Sequence, residues 1–187
     1  MRPGPNSPQA ISPASGPTAE PPPPGAHVVR VETALEMLGA VEAALPVDAA
    51  VFAAAVADWR AADAPAQKIK KDGSGAPPAL RLVENPDILA AVAHLPSGRR
   101  PALVVGFAAE TEAVQAHASA KRLRKGCDWI VANDVSPASG VMGGDDNAVI
   151  VIDAAGAESW PRLSKVATAR RLAARIADFF SQHQADT

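Results

Sequence analysis

PALVVGFAAETEAVQAHASAKRLRKGCDWIVAND, residues 101–134, decides how this chain folds. Pro101–Gly106 is a continuous apolar run of strand length. A helix is expected from about Glu112 to Lys125, with Gly126 supplying the residue just past its end. Asp128–Ala132 is a second apolar strand, and Asn133-Asp134 follows it. Strands that are apolar without alternation belong in a parallel sheet buried on both faces.

Working outward, the same alternation continues. Upstream, His27–Glu32 reads as a short valine-rich strand. Thr33 is a candidate N-cap, and Leu35, Leu38, Val41 and Leu45 recur at helical spacing until Pro46. Ala49–Ala55 is another buried strand, 56–79 a loop, and Leu80–Val83 a short strand. At Asn85-Pro86-Asp87 a helix is expected to start, with Asn85 as N-cap, Pro86 in the first helical position and Asp87 facing the positive end of the dipole. Ile88, Leu89, Val92 and Leu95 give it one apolar face. Downstream, Asn147–Asp153 is a further strand, and a last helix over about 164–183 presents Val166, Leu172, Ile176 and Phe179/Phe180 to the core. The fold class is α/β, Rossmann-like, three layers with a mostly parallel sheet.

Residues 1–26 hold half of the 18 prolines. They read as a disordered or extended segment with polyproline II character around 21–24. The expected division is therefore 1–26 as a proline-rich segment, 27–183 as one folded domain and 184–187 as a tail. Net charge is −2, which gives no sign of a nucleic-acid or membrane-surface partner. A lone Cys127 allows no internal disulfide and fits a reduced, cytoplasmic setting. No apolar run approaches the roughly 18 residues of a membrane span.

In parallel sheets, ligands sit beyond the carboxyl ends of the strands. Three such ends carry polar residues: Asp58 after one strand, Phe107–Thr111 after another, Asn133-Asp134 after a third. In Ala53–Lys71, AAAVADWRAADAPAQKIKK, an acid is followed ten residues later by Lys68-Ile69-Lys70-Lys71, and then by the pliable Asp72–Gly75. This reads either as a solvated loop or as a basic arm able to close over phosphate. In an extended arm Lys68 and Lys70 face one way and Lys71 the other, so one lysine is expected to engage a ligand. Lys121 and Lys125 share a helix face. They can reach a polyphosphate or simply complement the helix dipole. A nucleic-acid role for Lys121–Lys125 lacks an aromatic platform nearby. No dinucleotide fingerprint, Walker loop or zinc spacing is present. His27, His94, His117 and His183 are scattered and read as surface or loop residues. Cys127 reads as a packed thiol.

AAVADWR (54–60), KIKK (68–71), ENPDIL (84–89), VGFAAET (105–111), AKRLRKGCDWIVANDV (120–135) and DNAVIVI (146–152) together resemble the phosphopantothenoylcysteine synthetase domain. The resemblance covers about 28–182. In bacteria this domain usually follows a flavin-dependent decarboxylase in a bifunctional coenzyme A biosynthesis protein, so FMN is implied only where such a fused domain exists outside this chain. The resemblance implies a CTP-dependent phosphopantothenate–cysteine ligase. It would activate 4′-phosphopantothenate as an acyl-cytidylate with loss of diphosphate, and L-cysteine's amine would displace CMP. Magnesium would accompany the triphosphate, with its protein ligands unassigned. Carried over by residue, CTP contacts fall on Phe52, Ala53, Ala54, Asp58, Lys68, Pro86, Asp87, Ile88, Leu89, Phe107, Lys121 and Lys125. Lys68 is the candidate catalytic cation. A homodimer is also implied.

The family's opening strand and glycine-rich segment, which contributes to phosphopantothenate binding, have no counterpart here. Ser15–Pro21 lies too close to His27 to replace them, and its spacing suits a later loop of the family. The chain is thus read as N-terminally truncated, with an exposed sheet edge and apolar surface expected. The alternative is a non-catalytic CTP-binding or subunit protein that takes the missing segment from a partner.

Overall fold

The computed structural model describes residues 13–18, 21, 22, 24–63, 79–136 and 146–185. The basic arm with Lys68, Lys70 and Lys71 lies outside the described residues. The chain opens with β1 (Ala14–Ser15), β2 (Val29–Arg30) and α1 (Ala34–Ala44). It continues with β3 (Ala49–Phe52), β4 (Trp59–Ala61), β5 (Leu82–Glu84) and α2 (Ile88–Ala93). The βαβ centre is β6 (Leu103–Glu110), α3 (Val114–Lys125) and β7 (Trp129–Asp134). Last come β8 (Asp146–Asn147), β9 (Val149–Ile152), β10 (Ala157–Ser159), β11 (Leu163–Ser164) and α4 (Lys165–Ala185).

The main sheet has the order β10-β9-β7-β6-β3. Its centre is parallel: Phe52 stands beside Gly106, and Glu110 beside Asp134. Sequence reading anticipated this parallel centre. It expected Asn147–Asp153 to be one more strand of a parallel sheet. That run instead divides at Ala148 into β8 and β9, and β9 runs antiparallel to β7, with β10 antiparallel to β9. An apolar run reports burial, not direction.

The side-chain alternation of β6 and β7 sorts two cores onto the two faces. Val104, Ala108, Ile130 and Ala132 pack with Val92 and Ala93 of α2 and Ala118 of α3. Leu103, Val105, Trp129 and Val131 pack with Trp160 and Leu172, and Phe179 and Phe180 of α4 close over them. Phe179 meets Trp129 edge to face at 5.7 Å. Helices on both faces of the sheet make the three layers.

Arg100 ties together one end of this assembly. It donates to Ala93 O at 2.9 Å, to Pro101 O at 2.9 Å, to Gly126 O at 3.3 Å and to both carboxylate oxygens of Asp128. Asp128 also accepts from Val104 N at 2.7 Å. The end of α2, the start of β6 and the turn into β7 are thereby fixed to one another.

α1 begins as expected at Thr33, which forms a reciprocal capping box with Glu36. Gly126 closes α3 at φ 69°, a left-handed conformation that suits glycine. Two further expectations need correction. Residues 56–79 were read as loop throughout, but Trp59–Ala61 pairs antiparallel with Leu82–Glu84. Regular structure also starts before His27: Ala14–Ser15, inside the proline-rich stretch, pairs in parallel with β2. Proline lacks a donor but keeps its acceptor, and Val29 N donates to Pro13 O at 2.9 Å. Among the described residues β3 forms an edge of the main sheet, and Val51 on it is 47% exposed. No helix of the described residues is long and apolar enough to cross a membrane.

Candidate functional site

The sheet brings three sequence-distant motifs to one side. The first join is made by Asn85. Its side-chain amide donates to Ala57 O at 2.8 Å, and its backbone N–H donates to Asp58 O at 2.8 Å. Arg60 in turn donates to Asn85 Oδ1 at 3.2 Å and to Glu84 O. The backbone at Asp58 is thus pinned to the segment entering α2, while its carboxylate stays exposed. Asn85 was expected to cap α2. It is instead the clasp of the β4–β5 pair, and Asp87 takes the cap, accepting from Ala90 N at 3.0 Å. Pro86 accordingly stands before the cap rather than in the first turn. With a carboxylate already on its N–H groups, this six-residue helix is not the open anion site that the sequence offered.

The second join is an ion pair between Asp87 and Lys125, the last residue of α3. Burial pushes the Asp87 carboxyl up, but Lys125, the Ala90 N–H and Arg124 together outweigh it and hold the group below its ordinary range. A part-shielded lysine therefore sits at the mouth of α2, paired with a carboxylate. One turn earlier on α3, Lys121 lines a cleft of about 280 Å³ with Glu110, His117, Ala120 and Arg124. Lys121 and Lys125 share a helix face as expected, yet they have different neighbours. Arg122 leaves the group and donates to Asp128 O at 3.4 Å.

Phe52 is half-buried against the α2–α3 core, and Ala53 and Ala54 after it are exposed. Gly106, beside Phe52, is where Leu89 crosses the sheet: a Cβ there would stand 2.6 Å from Leu89 Cδ2 and 2.9 Å from Ile130 Cδ1. Ile88 is 5% exposed, so a ligand could meet its backbone but not its side chain. Phe107 is separated from this group. Odd-numbered residues of β6 face α4, and its ring lines a cavity of about 340 Å³ with Asn147, Lys165, Thr168 and Leu172. The structure thus joins Ala57 and Asp58 to Asn85 and joins Asp87 to Lys125, sets Phe52 against the α2–α3 core, and leaves Phe107 lining the cavity on the α4 side. Lys68 lies outside the described residues.

Sequence reading placed Glu110 in a polar strand end, His117 among scattered histidines and Arg124 in the Lys121–Lys125 tract, and did not join the three. Their signal was present: 117, 121 and 124 fall on one helical stripe, and Glu110 ends the strand before that helix. Cys127 is buried, which pushes its thiol up and fits the expected packed role.

Comparison with known proteins bears on this site. The family described as the DNA/pantothenate metabolism flavoprotein C-terminal domain matches residues 10–180. The coenzyme A biosynthesis bifunctional protein CoaBC of Escherichia coli is 47% identical over 137 residues, covering 72% of this chain and 33% of that protein. Its counterpart from Vibrio cholerae is 41% identical over 156 residues, 83% of this chain and 39% of that protein. The chain spans about a third of the length of these curated relatives. Among solved structures, the C-terminal domain of a CoaBC protein superposes with a TM-score of 0.70 at 30% identity, over 92% of this chain and 75% of that one. A Streptococcus pneumoniae protein described as a DNA/pantothenate metabolism flavoprotein also reaches 0.70, at 14% identity, over 90% of this chain and 81% of its own; that likeness speaks to fold alone.

Proposed function

This chain belongs to the DNA/pantothenate metabolism flavoprotein C-terminal domain family, and from that premise we propose that it carries the phosphopantothenate–cysteine ligase step of coenzyme A biosynthesis, driven by CTP. The observation that carries the reading is the convergence of 54–58, 85–89 and 121–125, joined by Asn85 and by the Asp87–Lys125 pair. In this reading the exposed Ala53 and Ala54 let a flat base approach the backbone. The Asp58 carboxylate accepts from a base amine or a ribose hydroxyl. A triphosphate replaces Asp87 as the partner of Lys125 and draws on Lys121, offsetting charge as diphosphate leaves. Lys68 is the proposed catalytic cation.

The carboxylate oxygen of 4′-phosphopantothenate attacks the α-phosphorus, and the bond to diphosphate breaks. The amine of L-cysteine then forms the amide bond, CMP leaves, and the amine gives up its proton. Among the described residues no group of three or more His, Cys, Asp or Glu side chains could hold a metal ion. Magnesium is proposed as the counterion of the triphosphate, with its protein ligands unassigned. A cytoplasmic homodimer is part of the same reading. The exposed edge at Val51 favours the second reading, a CTP-binding subunit completed by another polypeptide.

The test is mass-spectrometric detection of the acyl-cytidylate from CTP and 4′-phosphopantothenate with cysteine withheld. The ligase reading expects it in the chain as it stands and expects its loss in Lys125→Ala and Asp58→Ala. CTP binding without acyl-cytidylate would move the assignment to the subunit reading. Neither binding nor product would reject both.

A further inference from the structure

The cleft beside α3 carries both signs of charge. From it we infer that Glu110, Lys121 and Arg124 form a subsite for a free α-amino acid, the amine donor of the proposed ligation. The inference deepens the ligase reading and rests on it for the identity of the amino acid, cysteine.

The cleft has about 280 Å³ of space, below the usual range of drug-sized pockets. Glu110 ends β6 with its side chain 22% exposed, and His117 Nδ1 lies 3.7 Å from Glu110 Oε2. Lys121 and Arg124 follow at one and two turns along the same stripe of α3. Ala120 between them leaves the cleft open. Nearby charges are already committed. Asp134, beside Glu110 on β7, accepts from Ser136 N at 2.8 Å, and Lys125 holds Asp87. Among the described residues no ion pair occupies Lys121 or Arg124. The cleft thus presents the Glu110 carboxylate, with the His117 imidazole 3.7 Å away, opposite Arg124 and opposite Lys121, which this subsite shares with the triphosphate of the proposed nucleotide site.

A zwitterion satisfies this arrangement where a simple anion or cation does not. The α-ammonium meets Glu110, and the α-carboxylate meets Arg124, whose planar fork matches it in bidentate fashion, with Lys121 alongside. A lone phosphate would face the Glu110 carboxylate, and a lone amine would face two cations. Placement agrees with chemistry: Lys121 is one helical turn from Lys125, so an amine held here lies about one turn from the site proposed for the activated acyl group.

The test is binding, independent of turnover. Titrate the chain with L-cysteine, following backbone amides by NMR, and compare 3-mercaptopropionate, which lacks the ammonium, and cysteamine, which lacks the carboxylate. L-Cysteine is expected to shift amides at Glu110 and along His117–Arg124, with each analogue at least tenfold weaker. Glu110→Gln and Arg124→Ala are each expected to weaken L-cysteine at least tenfold, with Arg124→Lys recovering part of the loss and amide dispersion confirming a folded chain. Equal binding of the three compounds, shifts confined to another surface, or no binding at millimolar concentration would overturn the inference. CTP titrated in the same samples keeps the two readings apart. Its failure to bind rejects the nucleotide site, whereas CTP binding with no L-cysteine response rejects only the amino-acid subsite.

Discussion

Replacing Asp128 by alanine should cost this fold about 2 kcal/mol. The carboxylate accepts from Arg100 at 3.1 and 3.0 Å and from Val104 N at 2.7 Å. Hydrogen bonds to a charged group contribute roughly 1.5–3 kcal/mol each when shielded, so the guanidinium and the amide together set an upper figure of about 3–6 kcal/mol. Both side chains keep partial access to water, 25% for Arg100 and 33% for Asp128, and solvent screening brings the figure to about half. For a chain of this size that is a fall in melting temperature of roughly 4–8 °C. Urea denaturation measures it directly, and a cycle with Arg100→Met should show the two losses strongly coupled. A loss under about 1 kcal/mol, or full additivity in the cycle, would refute the view that this pair fixes α2, β6 and β7 together.

Three further outcomes follow from the geometry. Gly106→Ala places a Cβ 2.6 Å from Leu89 Cδ2 and should cost about 1–3 kcal/mol in urea denaturation, with a weakening of CTP binding as α2 is displaced. Asp87 is held below its ordinary pKa in the folded chain, so its contribution is present above the ordinary carboxylate range and is lost as pH falls through the lowered value. The stability gap between the parent chain and Asp87→Asn should thus be open at pH 6 and close below about pH 4; a gap that widens in acid would contradict the ion pair. Ala113 caps α3 at φ 44° with no side-chain hydrogen bond, so Ala113→Gly should raise stability by about 1 kcal/mol, measured by thermal melting.

What the sequence disclosed follows from how local each signal is. β6 and β7 were legible because their apolar runs are long and bounded by turn signals. Thr33, followed by Leu35, Leu38, Val41 and Leu45 at helical spacing, announced its helix from nearby residues alone. The β4–β5 pair was not legible, since Trp59–Ala61 is too short to show a period and its partner lies 21 or more residues away. Asn85 illustrates the limit at the site. Its residue type fits a cap, and only the arrival of Ala57 in space decides that it clasps the hairpin instead. Phe107 shows the same limit at the level of a face. Its place beyond Gly106 suggested a ligand contact, but the two-residue period of β6, anchored by Leu103 and Val105 against α4, turns its ring away from Asp87 and Lys125. Lys121 and Lys125 were found because spacing on a helix is local. That Lys125 would meet Asp87, 38 residues away, was not.

The proposed cytidine triphosphate site lies where 54–58, 85–89 and Lys125 meet. Isothermal calorimetry of the chain with CTP and with ATP, each with magnesium, is the decisive experiment. The expected result is CTP binding at least tenfold tighter than ATP, with Lys125→Ala losing most of the CTP affinity. Equal affinity for the two nucleotides, or CTP binding untouched in Lys125→Ala, would contradict it.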